Sequence, residues 1–337
     1  MAIGFGVRLP ISGPLAVPDN VRDAAVWAED LGFDSVWVHD FLIWTKMQDR
    51  IHVSSGAIEL IQDDTEPWVL ESLTTLAYVA GATKRVKIGT AVMALPYRDP
   101  VVTAKQISTL DHLSKGRMIF GYGIGGRYTL DYEYLPTPMK HRKEFFQRSR
   151  EVLAAMLELW TEPEPRYSGN YYRFAPTTMY PKPTQQPLPL WFGGKGPMAL
   201  KLAAELAHGW LPTWLVPAKY EELLPVIEGH LKERGRSLEG FTIGKECYTV
   251  IAETDNAVRD IAQRTMATFS SGFTVQSEAD AWESSLVGMP SDVITKIQRF
   301  IDVGVTYFEM KFIYRSMAEL RAQLELFARE VIPAFNS

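Results

Sequence analysis

The chain has 337 residues, 46% of them hydrophobic and 22% charged, with a formal net charge of −5. That balance supplies a large core, excludes a disordered chain and, with no basic run, argues against nucleic acid as the main partner. The one cysteine, Cys247, excludes an intrachain disulfide and a multi-cysteine metal site; the opening residues lack a secretory pattern and no apolar run reaches membrane-spanning length, so a soluble cytoplasmic protein is expected.

Apolar strands and amphipathic helices alternate along almost the whole chain. A strand is expected over 3–9. A helix follows over 18–32, opened by Pro18, apolar at Val21, Ala25, Ala28 and Leu31, and closed by Gly32. DSVWVHD (34–40) reads as a strand, and the segment 41–67 breaks the rhythm as an insertion. Helix 68–83 and strand 86–93 come next, then helix 99–114 and strand 117–123. A long loop, 125–138, leads to a strong helix over 139–160, where Phe145, Val152, Met156 and Trp160 recur at helical spacing. RYSGNYYRF (166–174) alternates about Gly169-Asn170 and predicts a small hairpin within an extended crossing, 161–187. Strands 190–193, 209–212, 241–252 and 306–312 alternate with helices 197–207, 220–234, 257–269, 291–303 and 318–330 to complete the chain.

About eight βα units with near-continuous apolar strands imply a parallel sheet covered on both faces. Eight units favour an α/β fold closed into a (β/α)8 TIM barrel over an open doubly wound sheet. No composition shift marks a boundary, so residues 1–337 are expected to form one domain. Sites in such barrels gather at the C-terminal strand ends. Here those ends hold Arg8; His39 and Asp40, with Leu42 and Trp44 beyond; Ala91, Val92 and Tyr97; Gly125, Gly126, Arg127 and Tyr128; Gly193, Gly194, Lys195 and Gly196; Trp214; and Lys311. The seventh strand offers little. The glycines from Gly121 onward let a ligand approach the backbone. The set suits a flat, anionic ligand, with phosphate capture at the helix that follows Gly196 and added charge from Lys195. A plain tight turn is the other reading of those glycines. His39 and Asp40 are the polar candidates for chemistry. The G-x-G-x-x-G match at Gly121 to Gly126 is not a dinucleotide fingerprint, because a polar loop follows it instead of a helix.

Four segments together resemble the luciferase-like monooxygenase superfamily: AEDLGFDSVWVHDF (28–41), VKIGTAVMALPYRDPVVTAKQISTLDHLSKGRMIFGYGIGG (86–126), the RKEFF…ELW helix (142–160), and PKPTQQPLPLWFGGKGPMALKLAAELAHGWLP (181–212). The resemblance implies a barrel with insertions and a small organic substrate. It implies either reduced FMN, delivered by a separate reductase and used with O2, or coenzyme F420, which exchanges hydride directly. Members are often homodimers. It further implies roles for Asp40 as the acid ending strand 2, Ala91-Val92 as a bulged or cis peptide behind the ring, Gly125-Gly126 beside the ring, Arg127 near the flavin phosphate, and Gly193, Gly194 and Gly196 in the phosphate turn. Leu42, Trp44, Tyr97, Tyr128 and Trp214 are then a substrate wall, and His39 a proton donor or shuttle. Two departures stand out. The F420-dependent sugar-phosphate and alcohol dehydrogenases of this superfamily usually carry Asp-His at strand 2, where this chain has Asp40-Phe41. Many carry a glutamate after the strand 4 glycines, where this chain has Gly126-Arg127. A non-catalytic flavin-binding barrel is the alternative; a barrel metal hydrolase is disfavoured by only six histidines.

Overall fold

The computed structural model describes residues 3–42, 68–125, 142–269 and 278–335. Its strands are β1 (Gly4–Arg8), β2 (Ser35–Val38), β3 (Lys87–Thr90), β4 (Met93–Ala94), β5 (Met118–Gly123), β6 (Tyr167–Ser168), β7 (Arg173–Phe174), β8 (Leu190–Phe192), β9 (Gly209–Trp210), β10 (Thr242–Ile251), β11 (Leu286–Gly288) and β12 (Tyr307–Phe312). The helices are α1 (Pro18–Asp30), α2 (Ser72–Ala82), α3 (Pro100–Leu113), α4 (Arg142–Thr161), α5 (Pro197–Leu206), α6 (Pro217–Lys232), α7 (Asp255–Phe269), α8 (Glu278–Glu283), α9 (Pro290–Asp302) and α10 (Met317–Glu330).

Strands β12, β1, β2, β3, β5, β8, β9 and β10 lie side by side in that order, all parallel, and β10 pairs back onto β12. This is the expected closed eight-stranded barrel. The short β6 and β7 form the expected antiparallel hairpin.

Three local differences have physical causes. The single strand expected over 86–93 is two pieces, because residues Ala91 and Val92 leave the ladder; the peptide between them is cis, and β4 resumes pairing on β5. The helix expected from 68 begins at Ser72, where the Glu71 carboxylate accepts the Thr74 amide and caps it. Helix α8 and strand β11 were not expected: β11 is three residues, too short for a periodic signal, and extends the far end of β10.

Each helix turns its apolar face to the barrel. In α3, Asp99 accepts the Val101 and Val102 amides at 2.9 Å, Pro100 presets the first turn, and Ala104, Ile107 and Leu110 are buried. Buried Asp111 on α3 holds the crossing chain by accepting the Gln185 amide at 2.9 Å and its side-chain nitrogen at 2.7 Å.

The N-terminal half of the barrel lumen is closed by a plug. Trp37, Trp191 and Tyr307 stack edge to face or tilted at 4.8–6.0 Å, with Ile119 and Leu211 around them. Gly6 and Gly89 leave room for the Trp37 indole: a methyl on either would collide with it. These rings fill that part of the lumen, and barrels of this kind carry their sites at the C-terminal ends of the strands.

Candidate functional site

Above the plug, one wall of the lumen carries four charges. Arg8 at the end of β1 reaches Glu309 on β12 through two bonds, Nε to Oε1 at 2.7 Å and Nη2 to Oε2 at 2.8 Å. The same guanidinium lies 3.3 Å from Glu246 on β10, and Lys311 on β12 pairs with Glu246. All four are buried, Glu309 completely. The quartet is neutral in sum, which is what makes it tolerable away from water. Burial pushes the Glu309 carboxyl upward, and Arg8 beside it does not fully offset that push. Burial acts the same way on Glu246, but Lys311 and Arg8 together prevail and hold it low.

The expectation that the seventh strand offers little is thus corrected. β10 brings Glu246 and Tyr248 to the lumen, and the Tyr248 ring meets Trp214 edge to face at 5.3 Å. The missed signal was the spacing of Glu309 and Lys311 within YFEMKF, two residues apart and so on one face of the strand, paired in register with Glu246 and Tyr248.

In a closed ring of eight strands, strands four places apart face each other across the lumen. β3 and β5 therefore stand opposite β10 and β12. On that opposite wall Val92 is central and only half-buried. Its methyls fill the space that side chains on Gly123 and Gly193 would need, at 2.9 and 2.8 Å from where those side chains would begin. Gly121 faces the Thr90 carbonyl oxygen, and the Thr90 hydroxyl donates to the Gly121 carbonyl at 2.7 Å. The expectation that Gly121 and Gly123 make room for a ligand is corrected: their close neighbours are Thr90 and Val92. Gly125 does adopt a left-handed backbone, with φ +82°, beside the Tyr97 ring.

At the end of β2, His39 is buried, with its ring edge to face with Phe41 at 5.2 Å. Asp40 is engaged at both oxygens. Oδ1 accepts the Ser72 hydroxyl at 2.9 Å and pairs with Arg98, and Oδ2 accepts the Ala94 amide at 3.1 Å. Burial pushes its carboxyl upward, against the pull of Arg98. Leu42 is exposed. Trp44, Gly126, Arg127 and Tyr128 lie outside the described residues.

The βα turn after β8 joins both sequence readings. A side chain on Gly194 would strike Phe192 and Ala199, so that glycine shapes the turn, and its carbonyl accepts the Trp210 indole N–H at 2.6 Å. Among the described residues nothing lies within 4 Å of where a side chain on Gly196 would begin, and Gly196 precedes α5, whose first turn has no side-chain cap. Lys195 beside it is exposed. Free amide N–H groups with a helix dipole behind them form an anion site. A flat ring against Val92, with its phosphate at the start of α5, fits these residues.

The model of the luciferase-like monooxygenase family matches residues 3–292. Among curated proteins, the chain is 28% identical over 315 residues to the F420-dependent glucose-6-phosphate dehydrogenase of Kineococcus radiotolerans, covering 86% of each. It is 27% identical over 341 residues to the Nakamurella multipartita protein of the same name, covering 95% of this chain and 93% of that one. Against the Microbacterium testaceum counterpart identity is 33% over 226 residues, 65% of this chain and 60% of that protein. Among solved structures, an F420-dependent secondary alcohol dehydrogenase in complex with an F420-acetone adduct aligns over the whole of both chains with a TM-score of 0.81 at 19% identity. The long-chain alkane monooxygenase LadA aligns over 99% of this chain and 91% of its own, with a TM-score of 0.78 at 15% identity.

Proposed function

We propose, from the premise that this chain belongs to the luciferase-like monooxygenase family, that it is an oxidoreductase using coenzyme F420 to exchange hydride with a small organic substrate. The observation that carries this reading is the wall made by Val92 over Gly123 and Gly193, a few residues from the start of α5, which has no side-chain cap. It gives a flat ring something to lie on and a phosphate somewhere to go. Similarity to F420-dependent dehydrogenases over most of the chain supports the choice of cofactor.

Ala91, Val92 and Gly125 would hold the ring, and Gly193, Gly194, Lys195 and Gly196 the phosphate. Gly126 and Arg127 join them by resemblance. The cofactor supplies a hydride donor or acceptor; the protein supplies binding, orientation and the exclusion of water. The substrate would sit between Val92 and the Glu246–Lys311 wall, bounded by Leu42, Tyr97 and Trp214, with Trp44 and Tyr128 assigned to the same boundary from sequence. His39 moves the proton that accompanies hydride transfer. The sugar-phosphate chemistry named for the relatives does not follow, because Phe41 stands where those dehydrogenases usually have histidine.

Phe41 also favours a second reading, reduced FMN delivered by a separate reductase and used with O2. An apolar ring at that place suits a pocket that keeps water out. Titration of the protein with F420 and, separately, with reduced FMN distinguishes the two. Tight F420 binding with weak FMN binding is the expected result. The reverse would establish the oxygenase reading, and binding of neither would remove both in favour of a non-catalytic barrel.

We place the protein in the cytoplasm, in keeping with its buried, free Cys247. We also propose a homodimer formed through the outer faces of α2 and α3, where Tyr78, Val101 and Val102 are exposed on neighbouring helices. Sedimentation velocity should show a dimer for the wild type and a monomer for Val102→Asp; a wild-type monomer would remove the proposal.

A further inference from the structure

We propose that Asp40 and Arg98 form a positioning clamp that holds segment 91–97 as the platform for the cofactor ring, and that Asp40 takes no part in proton transfer. The inference rests on the reading of Val92 as that platform.

Segment 91–97 leaves β3 and must be held without a continuous ladder. At its start the Ala91 amide donates to the Val38 carbonyl at 2.8 Å, and two residues of β4 pair with β5. After that the chain turns through Leu95–Tyr97 into Arg98. The Ala94 amide finds its acceptor in a side chain, Asp40 Oδ2 at 3.1 Å. The other oxygen of that carboxylate takes Arg98, the residue that follows the segment, and the Ser72 hydroxyl at the first turn of α2. Arg98 is itself shared with Glu71, the cap of α2, at 3.4 Å. One buried carboxylate thus ties the end of β2, the start of α2 and both sides of the turn that follows Val92.

A charged acceptor bonded to an amide and a guanidinium is among the stronger hydrogen-bonding arrangements. Asp40's side chain is 1% exposed and Arg98's 11%, so little solvent screens the pair. A group that must pass a proton to a substrate needs an oxygen within reach of it. Here three protein donors occupy the carboxylate, and each belongs to the frame around Val92. The effect on a bound ring would be indirect: with the clamp intact, Val92 stays against Gly123 and Gly193, and the wall beneath the ring is fixed.

The test uses Asp40→Asn, which keeps the shape and loses the charge, Arg98→Met, and the double variant. Hydrogen exchange of the cofactor-free protein is read first. The amides of Met93, Ala94, Leu95 and Tyr97 should exchange at least about tenfold faster in either single variant, with β1 and β12 unchanged. The double variant should exchange more slowly than the product of the two single effects, because the Asp40–Arg98 link is lost in both. Ser72→Ala, which spares the ion pair, should have a smaller effect and serves if Asp40→Asn fails to fold. With F420 or FMN, whichever the wild type binds, the dissociation constant should rise about 10- to 100-fold. The visible circular dichroism of the bound ring should change as well. A purely structural role would lower thermal stability and leave the ring's dichroism and affinity intact. Unchanged exchange at 93–97, or an unchanged ring signal and affinity, overturns the clamp. If the wild type binds neither cofactor, it is the proposed function that fails, and the exchange data alone decide whether the clamp holds the segment.

Discussion

Arg8→Met is expected to destabilise the protein by about 3–5 kcal/mol, read by urea unfolding at neutral pH. The substitution removes the two-bond partner of Glu309 and one partner of Glu246, leaving two carboxylates and one ammonium at buried positions. The loss is the cost of stranding charge, which exceeds the worth of the bonds themselves. The double variant Arg8→Met with Glu309→Leu removes one charge of each sign and leaves the neutral Glu246–Lys311 pair. Its deficit should therefore fall short of the sum of the single deficits by about 2 kcal/mol. Additive losses would mean that the four groups do not act as one set.

The pH dependence has a definite sign. Burial already raises the Glu309 carboxyl in the folded state, and Arg8 is what restrains it. Without Arg8 the folded protein holds that proton more tightly than the unfolded chain does. The penalty is then largest at neutral pH and above, and it is relieved as the pH falls through the raised pKa. The Arg8→Met deficit should shrink as the pH is lowered from neutrality toward the carboxylate range.

The barrel was legible because its signal is repeated. Eight apolar runs alternating with amphipathic helices leave few topologies, and buried strands read clearly even at four residues, as in SVWV. The lumen was less legible because it depends on which face of a strand a residue takes and on what stands opposite. Glu246 sits in TIGKECYTVI next to Lys245, which takes the other face and donates to the Leu215 carbonyl at 2.9 Å among the helices. Two adjacent charges in one strand thus have unrelated surroundings, and composition does not separate them. The glycines failed for a related reason. A missing side chain marks a close approach without saying whether a ligand or the protein makes it. At Gly121, Gly123 and Gly193 the neighbour is the protein; at Gly196 no described residue comes within 4 Å. His39 and Asp40 are singled out by position alone, as polar groups at a strand end, and position does not tell a residue that would carry a proton from one that would hold the backbone.

This distinction between glycines can be measured. Gly121→Ala is expected to cost more than about 3 kcal/mol or to prevent folding, a larger effect than Gly123→Ala. The new methyl at position 121 would fall on the carbonyl oxygen of Thr90, which is backbone and has no rotamer to change. β3 and β5 would have to separate, breaking the Thr90 hydroxyl bond to the Gly121 carbonyl and the pairing of Ile88 and Gly89 with β5. At position 123 the obstacle is a Val92 methyl at 2.9 Å, which a smaller side chain removes. Val92→Ala should therefore restore most of the stability lost in Gly123→Ala and none of that lost in Gly121→Ala. If Val92→Ala rescued both equally, the collision with Thr90 would not be the controlling contact. The rescued Gly123→Ala/Val92→Ala protein should also bind its cofactor more weakly than the wild type. Its fold would be sound, but the half-buried valine that makes the wall would be gone, so the two readouts separate the glycine's part in packing from the part Val92 plays in the site.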